Sequence, residues 1–167
     1  MSDYKIINAR VIPQGIAETS TVQLLPLGTI TRAVDRDTTA YGEGEFIYLK
    51  GVASTAIGSW VTIHEDDNTT TLLAANDIGQ TAVAMSANVA NQYGWYQIMG
   101  KAVGKALTGY LDNALVFATA TAGSIDDAVV AGDRVKKAIG ASAVGTPSSG
   151  LAEFEIQYPF MDDATAA

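Results

Sequence analysis

The chain has 167 residues, with 18 Asp and Glu against 10 Lys and Arg, a formal net charge of −8, and 17% charged residues, below the roughly 25% of an average soluble domain. That length suits one domain with a real core. The acidic balance opposes attraction to nucleic-acid phosphates or anionic lipid, and the absence of cysteine excludes a disulfide framework, a thiolate metal site and a cysteine nucleophile.

Residues 1–44 carry Pro13 and Pro26 and scattered apolar residues without a sustained period. They read as an extended N-terminal arm with strands at 22–25 and 29–34. No basic segment leads into an apolar run near Met1, and no stretch approaches the roughly 20 apolar residues of a membrane span. A product made in the cytoplasm and not attached to a membrane is expected. The run Asp35-Arg36-Asp37-Thr38-Thr39 with Gly42-Glu43-Gly44 reads as a flexible connection.

From Glu45 the pattern becomes regular: apolar and aromatic runs separated by Gly, Asn, Asp and Ser. Strands are predicted at 45–52, 59–64, 81–86, 94–99, 101–106, 114–119, 134–139 and 151–158, with Gly100 as the turn or kink between the fourth and fifth. The expected fold is mainly β: a small barrel or sandwich of about eight short antiparallel strands over residues 45–160, with the extended arm before it and a flexible tail at 161–167. Within 93–106, Trp95, Gln97 and Met99 share one face and Tyr96 and Ile98 the other, the two-residue period of a sheet. Lys101 and Lys105 are read as facing solvent or a partner. In 151–158, Phe154, Ile156 and Tyr158 alternate with Glu153, Glu155 and Gln157, predicting one buried and one wet face. Helix signals are thin, a turn or two at 71–78 and 87–91. Ser124-Ile-Asp-Asp127 fits a capping box, but Gly123 and Gly132 enclose only a short segment, so a turn fits equally well. The stretch 145–150 reads as the loop of the last hairpin.

Tests for chemistry fail one by one. A phosphate-binding loop needs Gly-x-x-x-x-Gly-Lys-Ser/Thr, whereas Gly104-Lys105 is followed by Ala106 and position 99 is Met. Gly42-Glu-Gly44 is no dinucleotide fingerprint, since Ile47 stands where its third glycine belongs. His64 is the single histidine, and Glu65, Asp66 and Asp67 follow it without the alternation of a calcium loop. A solvated hairpin turn is the preferred reading over a metal site or a hydrolytic triad. Glu153 and Glu155 would stand about 7 Å apart on one strand face, a separation glycosidases use, yet a solvent face alternates in the same way. No cofactor, metal or catalytic residue is assigned, and the chain is expected not to be an enzyme. Trp60, Trp95 and Tyr96 are read as packing or interface rings; the alternative is a stacking platform of a carbohydrate-binding or adhesive β module.

The succession Glu45-Phe-Ile-Tyr-Leu-Lys-Gly51, Gly58-Ser-Trp-Val-Thr-Ile63, Gly79-Gln-Thr-Ala-Val-Ala-Met-Ser86, Tyr93-Gly-Trp-Tyr-Gln-Ile98, Val116-Phe-Ala-Thr-Ala-Thr-Ala-Gly123 and Gly132-Asp-Arg-Val135 resembles head-associated structural proteins of tailed bacteriophages, especially capsid decoration or cement proteins. The resemblance covers about residues 45–158 in pattern and order. It implies a β-rich virion protein on the outer capsid surface that braces neighbouring major capsid protein subunits, often as a homotrimer, with neither nucleic acid nor membrane as a partner. On that reading Ile6, Ile7, Val11 and Ile12 of the arm are the first candidates for capsid contact, by strand addition. Another virion part, such as a tail or head-fibre base, fits the same pattern.

Overall fold

The computed structural model describes residues 4–6 and 13–163, and among them there are twelve strands and no helix. In chain order these are β1 (Tyr4–Ile6), β2 (Thr19–Ser20), β3 (Ile30–Asp35), β4 (Glu43–Lys50), β5 (Trp60–Ile63), β6 (Thr70–Leu72), β7 (Gly79–Ala84), β8 (Tyr93–Lys105), β9 (Leu115–Ala118), β10 (Ile125–Asp126), β11 (Arg134–Gly140) and β12 (Leu151–Met161). They join in one antiparallel sheet that folds over itself like a sandwich and does not close into a barrel.

β8 is the hub. Gly94 pairs with both Leu49 and Thr19, Gln97 with both Phe46 and Val83, and Met99 with both Glu45 and Gln157. A strand has only two edges, so β4 runs along one, and β2, β7 and β12 follow one another along the other. The segment expected as two strands is therefore one continuous strand, and its halves do not pair with each other. Gly100, at φ +102°, is the kink between them, and a Cβ there would stand 2.6 Å from the Glu43 carbonyl oxygen. Only glycine combines that φ with so close a backbone approach. The bend lets β8 exchange β7 for β12 as its neighbour.

Alternation along these strands sorts the core into three clusters. Phe46, Tyr48 and Trp95 point one way, into a cluster with Ile16 and Ala33. Ile47, Leu49, Tyr96 and Ile98 point the other way, onto Val61, Ile63, Ala82 and Ala84 of β5 and β7. The reverse face of β5 and β7 supplies Trp60 and Val83 to the third cluster, with Ala102 of β8, Val116, Val135, Phe154 and Ile156. β4 and the pair β5–β7 are thus covered on both faces. This gives the uninterrupted apolar runs Phe46 to Leu49 and Trp60 to Val61, whereas a one-sided strand would alternate.

Several expectations change in the folded chain. The stretch 22–25 is a bend and not a strand; β6 occupies part of 71–78, 87–91 is a turn, and β10 lies within 124–127. The segment 35–42 is a tight turn between β3 and β4: the Asp35 carboxylate accepts from the Asp37 and Thr38 amides and from the Thr38 hydroxyl at 2.6 Å. Tyr158 leaves the buried row predicted for it. It is 42% exposed, its φ is +55°, and the β11–β12 register jumps between Lys136 and Ala138, opposite it. This bulge turns the Tyr158 side chain outward, where its hydroxyl donates to Glu45.

Candidate functional site

The three rings singled out from the sequence lie far from any shared surface. Trp60, Trp95 and Tyr96 are each fully buried, and each belongs to a different cluster. Trp60 packs edge-on against Phe154 with centroids 5.1 Å apart, and Trp95 meets Tyr48 at the same distance. The Trp95 indole N–H donates to the Gln14 carbonyl at 3.2 Å, and Asn88 donates to the Tyr96 hydroxyl at 3.0 Å. None of the three presents a ring face to a sugar, so they build no stacking platform.

The carboxylates and the histidine also resolve into local structure. His64 is exposed in the hairpin between β5 and β6; its carbonyl accepts from the Asn68 amide at 2.9 Å, and Asp67 accepts from the amide and hydroxyl of Thr69. Those Thr69 donors hold the Asp67 carboxyl below the usual carboxylate range. Among the described residues no group of three His, Asp or Glu side chains is placed to hold a metal ion. Glu153 is half-buried, and it accepts from the Tyr41 hydroxyl at 3.0 Å and pairs with Lys101 at 2.7 Å. Glu155 is exposed on the same strand. Burial and then the Glu153 carboxylate push the Tyr41 hydroxyl up to about 12. Lys101, expected to face solvent or a partner, is 29% exposed and lies 5.3 Å over the Tyr41 ring. A saturated ion pair beside a neutral phenol holds two strands together and offers no free acid or base.

Beside this trio the surface opens into a cleft of about 350 Å³. The β3–β4 turn contributes Thr38 and Tyr41, β7 and its continuation Ala84 and Met85, β8 Gln97 and Val103, and the 145–150 loop Pro147 and Ser148; Ile57 and Leu151 complete it. No residue of the lining carries a charge. Gln97 is 1% exposed and holds its amide by donating from Nε2 to the carbonyls of Met99, at 3.2 Å, and Lys101, at 3.1 Å. Its Oε1 has no partner.

The N-terminal region is bound tightly to the domain through a residue the sequence reading did not single out. Gln14 is 2% exposed; its Oε1 accepts from the buried Tyr48 hydroxyl at 2.9 Å, and its Nε2 donates to the carbonyls of Glu18 and Tyr93 at 2.8 and 2.9 Å. Ile16 and Ala33, within the predicted arm, are core residues. The only signal was a glutamine between Pro13 and Gly15, a setting that reads equally as loop. Of the arm residues proposed for contact, Ile6 lies in β1, opposite Ala33 of β3; Ile7, Val11 and Ile12 lie outside the described residues. β1 ends the sheet path and, among the described strands, pairs with β3 alone. No protein-family model, curated protein or solved structure matches the chain.

Proposed function

We propose that this chain is a structural protein of a tailed-phage virion that decorates the outer surface of the head and braces neighbouring major capsid subunits. The observation that carries the reading is the terminal position of β1 in the sheet path of the described strands, where it pairs with β3. An extended segment of a partner adds to such an edge through main-chain hydrogen bonds, which require no particular side chains. The pattern of residues 45–158 resembles decoration proteins, and the Asp67 and Glu153 carboxylates are engaged in a turn and a cross-strand pair. Decoration acts by mass action: a protein that binds the assembled lattice and not its free subunits stabilises the lattice by its binding free energy. The same edge, used between copies, would build the homotrimer that the resemblance implies.

The test is sedimentation of purified protein with matching expanded heads, followed by electron microscopy of the decorated particles. Full-length protein is expected to co-sediment and to appear as density on the capsid exterior. Deletion of residues 1–6 removes β1 while keeping Gln14 and Ile16, and should abolish binding with the domain still folded. Failure of the full-length protein to sediment with the heads refutes decoration. Density confined to the tail or to a head fibre would reassign the protein to that part of the virion.

A further inference from the structure

Two surfaces near β9 carry exposed apolar groups and opposite charge. The first is a tip built from the loops before β9 and after β10. The Leu111 amide donates to the Asp127 carboxylate at 3.0 Å, which joins the two loops. Leu111 and Val129 are 63% and 80% exposed, the next residue Val130 is exposed as well, and none of the three belongs to a core cluster. Burial, and then the charges of Asp127, Asp112 and Asp126, hold the neighbouring Tyr110 hydroxyl above the usual tyrosine range. All three carboxylates therefore stand within reach of one point at the base of the tip.

The second surface is a groove of about 270 Å³ across β9, β11 and β12. Register places Ile139 between Leu115 and Glu155, and both apolar side chains are exposed. Arg134, Lys137 and Gln157 extend the lining, so two cations face one carboxylate. The bulge at Lys137, with φ +60°, breaks the alternation of β11 and leaves Lys136 and Lys137 exposed in succession. Lys136 is paired with Asp162, but among the described residues Arg134 and Lys137 form no ion pair, and neither do Asp112, Asp126 and Asp127. Tip and groove thus do not satisfy each other within one chain.

Apolar groups gathered on a surface and rimmed by charge have the makeup of a protein contact, and the complement of each surface is carried by a second copy of the same chain. The geometry points to self-association in which the acidic, apolar tip of one copy lies in the basic, apolar groove of another. Leu111 leads directly into the segment that carries Leu115, so the two surfaces are neighbours, and a two-fold pair exchanges both contacts at once. Chains of net charge −8 repel overall, which leaves the pairing to these local opposites. The interface is separate from β1 and stands independently of the head-binding reading.

Sedimentation equilibrium of the full-length protein should show a monomer–dimer equilibrium with Kd below about 1 mM. Arg134→Glu/Lys137→Glu makes the groove acidic, and Asp112→Lys/Asp126→Lys makes the tip basic; each variant alone should lose the dimer. The tip variant carries less overall negative charge than the wild type, so general repulsion does not account for its loss. An equimolar mixture of the two should dimerise again, because the basic tip meets the acidic groove and the native tip meets the native groove. Val129→Ser removes apolar contact from a side chain exposed in the free chain and should weaken the dimer about tenfold. A monomer at every concentration up to about 1 mM, a mixture that stays monomeric, or an oligomer that both charge variants keep and deletion of residues 1–6 abolishes overturns the interface.

Discussion

Replacing Gln14 by methionine keeps the length of the side chain and removes its polar atoms, and so measures what fastens the N-terminal region to the core. Three hydrogen bonds disappear: the one from the Tyr48 hydroxyl and the two to the carbonyls of Glu18 and Tyr93. The backbone bond from Trp95 to the Gln14 carbonyl survives. At about 1 kcal/mol for each bond, and more for the buried Tyr48 hydroxyl left with only the longer 3.3 Å contact from the Leu24 amide, the loss is about 3 kcal/mol. For a domain of this size that lowers Tm by about 6–12 °C. Differential scanning calorimetry reads the shift. A double-mutant cycle with Tyr48→Phe should return a coupling of about 1 kcal/mol for the hydroxyl–amide pair. A Tm within about 2 °C of the wild type would mean that Gln14 does not clamp this region, and the argument for an N-terminal region integral to the core would fail.

Further outcomes follow from the same geometry. Gly104→Ala places a Cβ 2.5 Å from the Trp60 Nε1, in a ring wedged against Phe154; overpacking of this kind costs about 1–3 kcal/mol, measurable as a lower urea midpoint at unchanged m-value. Both tryptophans are fully buried, so the native emission should be blue-shifted and resistant to acrylamide, and strong quenching before unfolding would contradict the core assignment. Burial and Glu153 raise the Tyr41 hydroxyl to about 12, above the roughly 10 of an unfolded tyrosine. Its contribution to stability is therefore complete below pH 10 and lost as pH rises through about 12. The tyrosinate absorbance that disappears in Tyr41→Phe should titrate near the upper value; titration near 10 would show that the hydroxyl does not hold its bond to Glu153.

The two faces of the 93–99 segment were readable because a strand repeats every two residues and both faces meet apolar neighbours: Trp95 enters one cluster and Tyr96 and Ile98 another. Gly100 was equally visible as a break. Whether the chain reverses there or bends and continues depends on distant partners, and β4 and β12 lie some 50 residues away on either side. The same dependence hid the fate of Lys101 and Glu153: each looks solvent-facing along its own strand, and only the β8–β12 register, with the Tyr41 ring beside it, brings them together. Tyr158 kept the alternating pattern in sequence and lost it in space, because a left-handed residue in a bulge is not forecast by a tyrosine. The segment 71–78 had some helical pattern, but its first two residues pair with β5 as part of β6, tertiary pairing overriding a weak local preference. The candidate site was the least legible part, since the cleft is assembled from the 36–42 turn, Ile57, β7, β8 and the 145–150 loop, segments that no local period connects.

The bent hub strand also dictates the order in which the protein can be completed. The far half of β8 finds its partner in residues 151–157, some 50 residues further along the chain. Until they are made, the cluster around Trp60 lacks Phe154 and Ile156, and the far half of β8 lacks its β12 partner. Pairings this distant in sequence make for slow folding, and exposed edges invite association with other chains in the meantime. The tightest demand on this protein thus falls during its synthesis, when the arrival of residues 151–157 gives the far half of β8 its partner.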